Sequence, residues 1–366
     1  MVTKVKILGA GSIGNHLSNA ARAKGWDIAL CDIDPNALER TRREIYPGRY
    51  GSWDNAIELF TADKAPRGGH DWIFIGTPPD SHIKLALAAV EERPKAILIE
   101  KPCATPDLMG CQELYEKAAK VGVRIFVGYD HVVSHGTARF MELARNIEDV
   151  RTLDVSFREH WQGIFNAHPW LTGPADTYLG YWRRGGGACG EHSHALNLWQ
   201  HIAIGIGAGR VREVFATLDY VENEGAEYDR LALLNLRTEN GLVGRVVQDV
   251  VTRPPLKWAR LQGSNEAVEW ECKSSPYSDV VKSFGHQNTE HVFNKTRPED
   301  FIQELDHLER VVNDGSDSPI SVERGLDSML VIAAAHMSAQ RRCAITIDYS
   351  KGYSGAALIL ALTASI

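Results

Sequence analysis

The chain has 366 residues, 44% of them hydrophobic and 24% charged, with a formal net charge of −7. It is long enough for two cores, and its acidic balance, with no basic stripe, excludes nucleic acid and anionic membrane surfaces as natural partners. No apolar run can span a bilayer; the most apolar stretch, Gly355 to Leu362, is far too short. Cys31, Cys103, Cys111, Cys189, Cys272 and Cys343 fall at no metal-like or redox-like spacing, and a strand pattern begins at once after the first Met. These features point to a reduced, cytoplasmic protein acting on a small molecule.

The first 130 residues alternate short apolar, β-branched runs with helix-length segments. The runs are Val5–Leu8, Ile28–Cys31, Trp72–Ile75, Ala96–Ile99 and Arg124–Val127; the helical segments are Ile13–Lys24, Pro35–Ile45, Asp80–Glu91 and Pro106–Val121. This pattern predicts a parallel sheet covered by helices on both faces. Asp34-Pro35 and Thr105-Pro106 each read as a capping residue followed by proline at the first helical position. A helix over Thr137–Asn146 then leads into longer alternating segments: Arg151–His160, Val211–Val221, Arg230–Leu236, Leu242–Val251, Lys257–Gln262 and Ala267–Cys272. These predict a mostly antiparallel sheet with one face solvated or covered by a partner. A Gly-rich segment opens a helix over Gly185–Ile202, residues 273–298 read as a long polar loop, and helices over Glu299–Asn313 and Val322–Gln340 close the domain. The expected fold is therefore α/β: a doubly wound parallel N-terminal sheet over 1–130, an α+β domain with a large, open, mostly antiparallel sheet over 131–350, and a tail over 351–366. An exposed sheet of that kind is an aggregation hazard unless it is covered, which predicts a homodimer or homotetramer.

Gly9-Ala10-Gly11-Ser12-Ile13-Gly14 follows the first strand and opens the first helix. In that context Gly9 serves the tight turn, Gly11 the approach of a pyrophosphate, and Gly14 close helix–strand packing, with Ser12 and Ile13 at the helix start. Asp32 ends the second run, where a carboxylate accepts the adenosine ribose hydroxyls and repels a 2′-phosphate; this favours NAD over NADP. Asp34 is assigned to the helix cap. Ligands bind at the carboxyl ends of such strands, where Thr77-Pro78-Pro79-Asp80, Glu100-Lys101-Pro102 and Tyr129-Asp130-His131 stand. A lysine there can bond a substrate hydroxyl and stabilise alkoxide charge, although a solvated Glu-Lys pair would look the same. In the Gly-rich segment Glu191 and His194 are three apart, a spacing that on one helix shares a face, and histidine suits proton transfer near neutrality. His192 and His194, two apart, diverge on a helix, so no metal is expected. Trp161, Trp170, Tyr178, Tyr181 and Trp182 precede this segment. Trp161 can stack on a sugar ring and Arg183 can bind an acidic substituent, with core or interface packing as the competing role.

These motifs together resemble the glucose-fructose oxidoreductase / inositol dehydrogenase / rhizopine catabolism (Gfo/Idh/MocA) family. The resemblance rests on the glycine fingerprint, Thr77-Pro78 with His82, Glu100-Lys101-Pro102, Gly128-Tyr129, the triple glycine leading to His194, and Ser318-Pro319-Ile320-Ser321. It implies two domains, a nicotinamide cofactor lying along Gly9–Gly14, Asp32, Thr77, Pro78, His82, Glu100 and Lys101, and a sugar, inositol or related polyol as substrate. Lys101 would polarise the hydroxyl and His194 would take its proton, with Tyr129, His131, Trp161, Arg183 and Glu191 lining the substrate. Family members carry an aspartate four residues before the histidine; here Gly190 stands there, with Glu191 next to it as candidate partner or substrate ligand. They also often carry Asn and a basic pair where Asp130, His131 and Val132 stand. Two alternatives stay open: NAD-dependent glycoside cleavage by transient oxidation and elimination, and a non-catalytic dinucleotide-binding sensor.

Overall fold

The computed structural model describes residues 2–168, 170–223, 225–274 and 276–361. The N-terminal part runs β1 (Lys4–Leu8), α1 (Ser12–Ala23), β2 (Asp27–Asp32), α2 (Pro35–Arg40), α3 (Tyr46–Tyr50), β3 (Ile57–Thr61), β4 (Trp72–Ile75), α4 (Pro79–Glu91), β5 (Ala96–Ile99), α5 (Cys111–Val121) and β6 (Arg124–Val127). The strands form one parallel sheet in the order β3-β2-β1-β4-β5-β6. β4 and β5 are buried along their whole length, which is why they read as continuous apolar runs and not as alternating ones. The order reverses between β1 and β4, so the crevice for a ligand opens above their carboxyl ends.

The rest of the chain supplies α6 (His135–Ala144), β7 (Val150–Arg158), α7 (Gln162–Asn166), α8 (Gly187–Glu191), α9 (Ser193–Gly205), β8 (Val211–Asn223), β9 (Ala226–Thr238), β10 (Val243–Asp249), β11 (Leu256–Gly263), β12 (Ala267–Ser274), β13 (Tyr277–Phe284), β14 (Thr289–Asn294), α10 (Arg297–Asp314), α11 (Val322–Arg341), β15 (Ile345–Ile347) and β16 (Leu358–Leu360). Ten strands make one sheet, β14-β13-β12-β11-β7-β10-β9-β8-β15-β16, antiparallel except where β10 runs parallel to β7. Its strands alternate: on β9, Ala232, Leu234 and Leu236 are buried while Leu233, Asn235 and Arg237 face out. Helices cover the inner face, and Phe215, Leu233 and Val243 remain exposed on the outer one. Among the described residues no helix is long and apolar enough to cross a membrane.

Several sequence expectations change. Residues 273–298 carry the paired strands β13 and β14 instead of a loop; β14 is the sheet edge, and β13 inside it buries the polar Ser278 and Asp279, so neither shows an alternating apolar pattern. The helix expected from Pro106 begins at Cys111, because Gly110 adopts a left-handed φ of 74° and Thr105 bonds Asp107 instead of capping. The helix expected over Pro35–Ile45 loosens into a π-turn at Thr41–Ile45. β3 had no mark in the sequence, and the segment expected as a tail places β16 against β15 (residues 362–366 lie outside the described part). Helices from the second half also return to the first sheet. Arg124 on β6 donates to the carbonyls of Val311 and Ser316, and Gly325 of α11 lies flat on Val127.

Candidate active site

The loop between β1 and α1 is built for close backbone approach. A Cβ at Gly14 would fall 1.9 Å from the Gly9 carbonyl oxygen, and Gly9 itself has a φ of 103° that L side chains rarely adopt. At Gly11 an added Cβ would meet nothing within 4 Å, so the loop is open on the side a pyrophosphate would use. The first turn of α1, with Ser12 and Ile13, has no side-chain cap and no acidic residue, leaving its N–H groups and dipole free for an anion. Asp32 braces the loop: Oδ2 accepts the Ala10 N–H at 2.7 Å and Oδ1 the Asp34 N–H at 2.8 Å. Asp34 in turn accepts the Asn36 N–H as the cap of α2. Arg49, which nothing in its own segment marked, donates to Ser12 Oγ at 2.8 Å and to its carbonyl at 3.0 Å, placing a cation at the start of α1. The residues present fit a dinucleotide.

Across the crevice, Thr77 pairs its hydroxyl with Ser81, and Pro78 leads into α4. His82 is fully buried, its ring nitrogens turned to the carbonyls of Thr77 at 2.7 Å and Pro102 at 3.0 Å. The ring lies between those two loops and, when neutral, donates to one of the two carbonyls. Burial lowers its pKa to about 4, so it stays neutral. Glu100 is also buried, packed on Gly128, where a Cβ would lie 2.7 Å from its carboxylate. Burial, opposed by Lys101 and helped by Asp130, pushes it up to about 7.

Lys101 and His194 both stay slightly open to the cleft, with side chains 13% and 12% exposed. The lysine donates to the Glu191 carbonyl at 2.9 Å and to its carboxylate at 3.3 Å. His194 does not share a helix with Glu191: α8 ends at Glu191, His192 turns the chain, and α9 starts afresh, with Gln248 donating to the His192 carbonyl at the break. The shared-face expectation is thus corrected. Glu191 partners the lysine, and the carboxylate facing His194 is Asp130, whose Oδ1 lies 3.7 Å from Nδ1. Asp130 is buried, which raises its pKa, but Arg297 at 2.8 Å, with His194 and Lys295, holds it down to about 2. Burial drives His194 well below 6.5; Asp130 opposes this, while His131, Lys101 and Arg297 add to it. No aspartate can stand at position 190, because a Cβ there would lie 2.0 Å from the Gly185 carbonyl oxygen. Gly190→Asp is expected to cost about 3 kcal/mol or more of stability, read as a fall in thermal midpoint.

The other expected substrate residues divide. Tyr129 and His131 are buried and pack edge-on against His194, at 5.6 Å and 4.8 Å between ring centres, so they support the histidine from behind. Trp161 packs on Tyr228 and Phe165 in the second domain. Arg183 is held by Glu227 over the Trp182 ring, and Arg184 by Asp80. Arg297 is the cation the structure puts at the centre. It lies at the start of α10, far along the chain, and nothing in its own segment marked it. Among the described residues two groups bring three ligand-type atoms within 4.8 Å of one another: Asp130, His131 and His194, and Cys189, Asp229 and His336. Neither contains Glu191 or His192.

A nucleotide-binding parallel sheet, a lysine and a histidine at its carboxyl edge, and a broad second sheet define the class. Residues 3–129 match the Gfo/Idh/MocA family model, described as an oxidoreductase family with an NAD-binding Rossmann fold. On that match the chain is an NAD-binding oxidoreductase. No curated protein matches it. Among solved structures it is similar to levoglucosan dehydrogenase in complex with NADH (TM-score 0.76, 16% identity, 95% of this chain and 100% of that one). It is similar also to an aldose-aldose oxidoreductase from Caulobacter crescentus complexed with glycerol (0.75, 17%, 95% and 100%). A third likeness is to GenD2 from gentamicin A biosynthesis in complex with NAD (0.72, 16%, 95% and 97%). At these identities the likeness shows the fold.

Proposed function

We propose that the protein reversibly oxidises a secondary hydroxyl of a sugar, sugar derivative or inositol, with NAD as the hydride acceptor. The observation that carries this reading is the convergence of Lys101 and His194 on the crevice edge, with Asp130 behind the histidine. The Lys101 ammonium donates to the substrate hydroxyl oxygen and stabilises the charge that develops on it. The nitrogen of His194 away from Asp130 takes the hydroxyl proton, and Asp130 Oδ1, facing Nδ1, stabilises the imidazolium that results. Glu191 keeps the flexible lysine on the cleft until a substrate hydroxyl takes over one of its donors. Bound NAD supplies the hydride acceptor. The solved levoglucosan dehydrogenase complexes with NADH, one of them with levoglucosan, support a carbohydrate as the substrate class. The exposed Phe215, Leu233 and Val243 on the outer sheet face support pairing of subunits through that face.

The test is formation of reduced nicotinamide with a panel of aldoses, sugar acids, amino sugars and inositols, run with NAD and NADP in parallel. Turnover with at least one class, faster with NAD, is expected. Tight NAD binding with no net reduction across the panel would replace this reading with glycoside cleavage, which regenerates its cofactor in every cycle, or with a sensor.

A further inference from the structure

The short helix that leads to His194 rests on a second cluster that the proposed reaction does not use. Asp229 of β9 is fully buried, and its Oδ2 accepts the Cys189 N–H at 2.8 Å. Its Oδ1 is buried without a hydrogen-bond partner and lies so close to Gly187 that a Cβ there would fall 1.9 Å away, so glycine is what admits the carboxylate. The Cys189 thiol is fully buried beside it. His336 arrives from α11, 3% exposed, its ring stacked on Trp182 at 4.4 Å between centres. Its Nδ1 pairs with the Tyr220 hydroxyl at 2.7 Å, and its Nε2 is buried with no partner. A sulfur, a carboxylate oxygen and a ring nitrogen from three separate elements thus lie within 4.8 Å of one another.

A buried polar atom left without a partner costs about 1–3 kcal/mol; His336 Nε2 is one, and beside it the Asp229 carboxyl has, besides the Cys189 N–H, only the loose approaches of the Ala188 N–H and the Cys189 thiol. A cation satisfies all three groups at once. The surrounding charge decides between the two candidate clusters. Around Asp130, His131 and His194 stand Lys101, Lys257, Lys295 and Arg297, which would repel a dication, and Arg297 already neutralises Asp130. Near His336 the charge that acts on it is Arg183, which is paired with Glu227.

We propose that Cys189, Asp229 and His336 bind a divalent cation of the zinc class, which fastens α8 to the large sheet and to α11. The thiol gives its proton to solvent as the sulfur binds, so a thiolate and a carboxylate balance the double charge, and the neutral imidazole adds no net charge. With Nε2 on the metal, Nδ1–H donates to the Tyr220 hydroxyl oxygen and this bond fixes the tautomer, as outer partners of metal-bound histidines do. A mixed sulfur, nitrogen and oxygen set favours zinc over magnesium or calcium. Zinc–ligand bonds of about 2.0–2.3 Å require the three side chains to close by roughly 1 Å, with a non-protein ligand completing the tetrahedron. This site takes no part in hydride transfer, so it and the proposed function stand or fall separately.

The test uses the full chain without an affinity tag, dialysed against metal-free buffer and analysed for metal by mass spectrometry. About one zinc per chain is expected, lost in Cys189→Ser and His336→Gln and retained in His194→Ala. Loss of zinc in His194→Ala with retention in His336→Gln would overturn the assignment. Should the variants misfold, cobalt added to the stripped wild-type chain decides the matter, since only this one of the two clusters contains sulfur. A thiolate-to-cobalt charge-transfer band is expected; cobalt that yields no such band, or does not bind, overturns the proposal.

Discussion

His194→Ala is expected to lower turnover at saturating substrate about 10²- to 10⁴-fold while leaving NAD affinity unchanged. The reason is positional. The side chain sits beyond the end of the nucleotide crevice, on α9, so its removal deletes a proton acceptor without touching the glycine loop or Asp32. The loss corresponds to about 3–5 kcal/mol of transition-state stabilisation. NAD affinity follows from quenching of protein fluorescence by the cofactor, and turnover from the reduced nicotinamide formed. Equal turnover in the variant would remove the histidine from the mechanism. The pH profile adds a second check. Burial and the nearby Lys101 and Arg297 hold the histidine well below 6.5, so it is neutral, and able to accept a proton, throughout the neutral range. The acid limb of kcat/KM should therefore fall below that of an ordinary histidine. Asp130→Asn removes the carboxylate that opposes this depression, so the limb should move further down and kcat should drop more than KM changes. A purely structural role for Asp130 would leave the limb in place.

Lys101→Met is expected to reduce kcat about 10²- to 10³-fold, the range found when one preorganised donor to developing oxyanion charge is lost. Methionine keeps much of the apolar stem and deletes the ammonium, so the packing around Pro102 is disturbed little. It also frees Glu191, which the lysine now holds at 3.3 Å. Two measurements separate charge from position. Lys101→Arg should recover only part of the rate, since a planar fork cannot replace a point donor in a cleft where the side chain is 13% exposed. Glu191→Gln should raise KM more than it lowers kcat, because it loosens the lysine without deleting it. If Lys101→Met instead reduced NAD affinity alone, the lysine would belong to the cofactor and not to the chemistry.

The nucleotide half of the molecule was legible because its signals are local. A strand buried on both faces is a run of apolar residues, a tight turn needs glycine, and a helix start shows its proline; each falls within a few residues. Gly9, Gly11 and Gly14, the ends of β1, β2, β4, β5 and β6, and the placing of Lys101 could all be read that way. β3 escaped because Ile57–Thr61 at the sheet edge is only partly buried, so its composition is mixed. β14, at the edge of the other sheet, escaped for the same reason, and β13 because its buried positions include the polar Ser278 and Asp279.

Partnerships across the fold had no such signal. Chain spacing suggested Glu191 as companion to His194, yet one residue of non-helical backbone at His192 sends the two side chains to different partners. The absence of an aspartate at 190 follows from the carbonyl of Gly185, which blocks any side chain there, and the carboxylate beside the histidine is Asp130, which follows β6. Arg297, Arg49 and the gathering of Cys189, Asp229 and His336 likewise join residues widely separated along the chain. Amino-acid order alone determined that this chain builds a dinucleotide-binding sheet with a lysine at its edge, because those requirements are met by neighbours in the chain. Which charge faces which base was settled by the packing of α8, α9 and α10 against the crevice, since electrostatic partners depend on distance in space and not along the sequence.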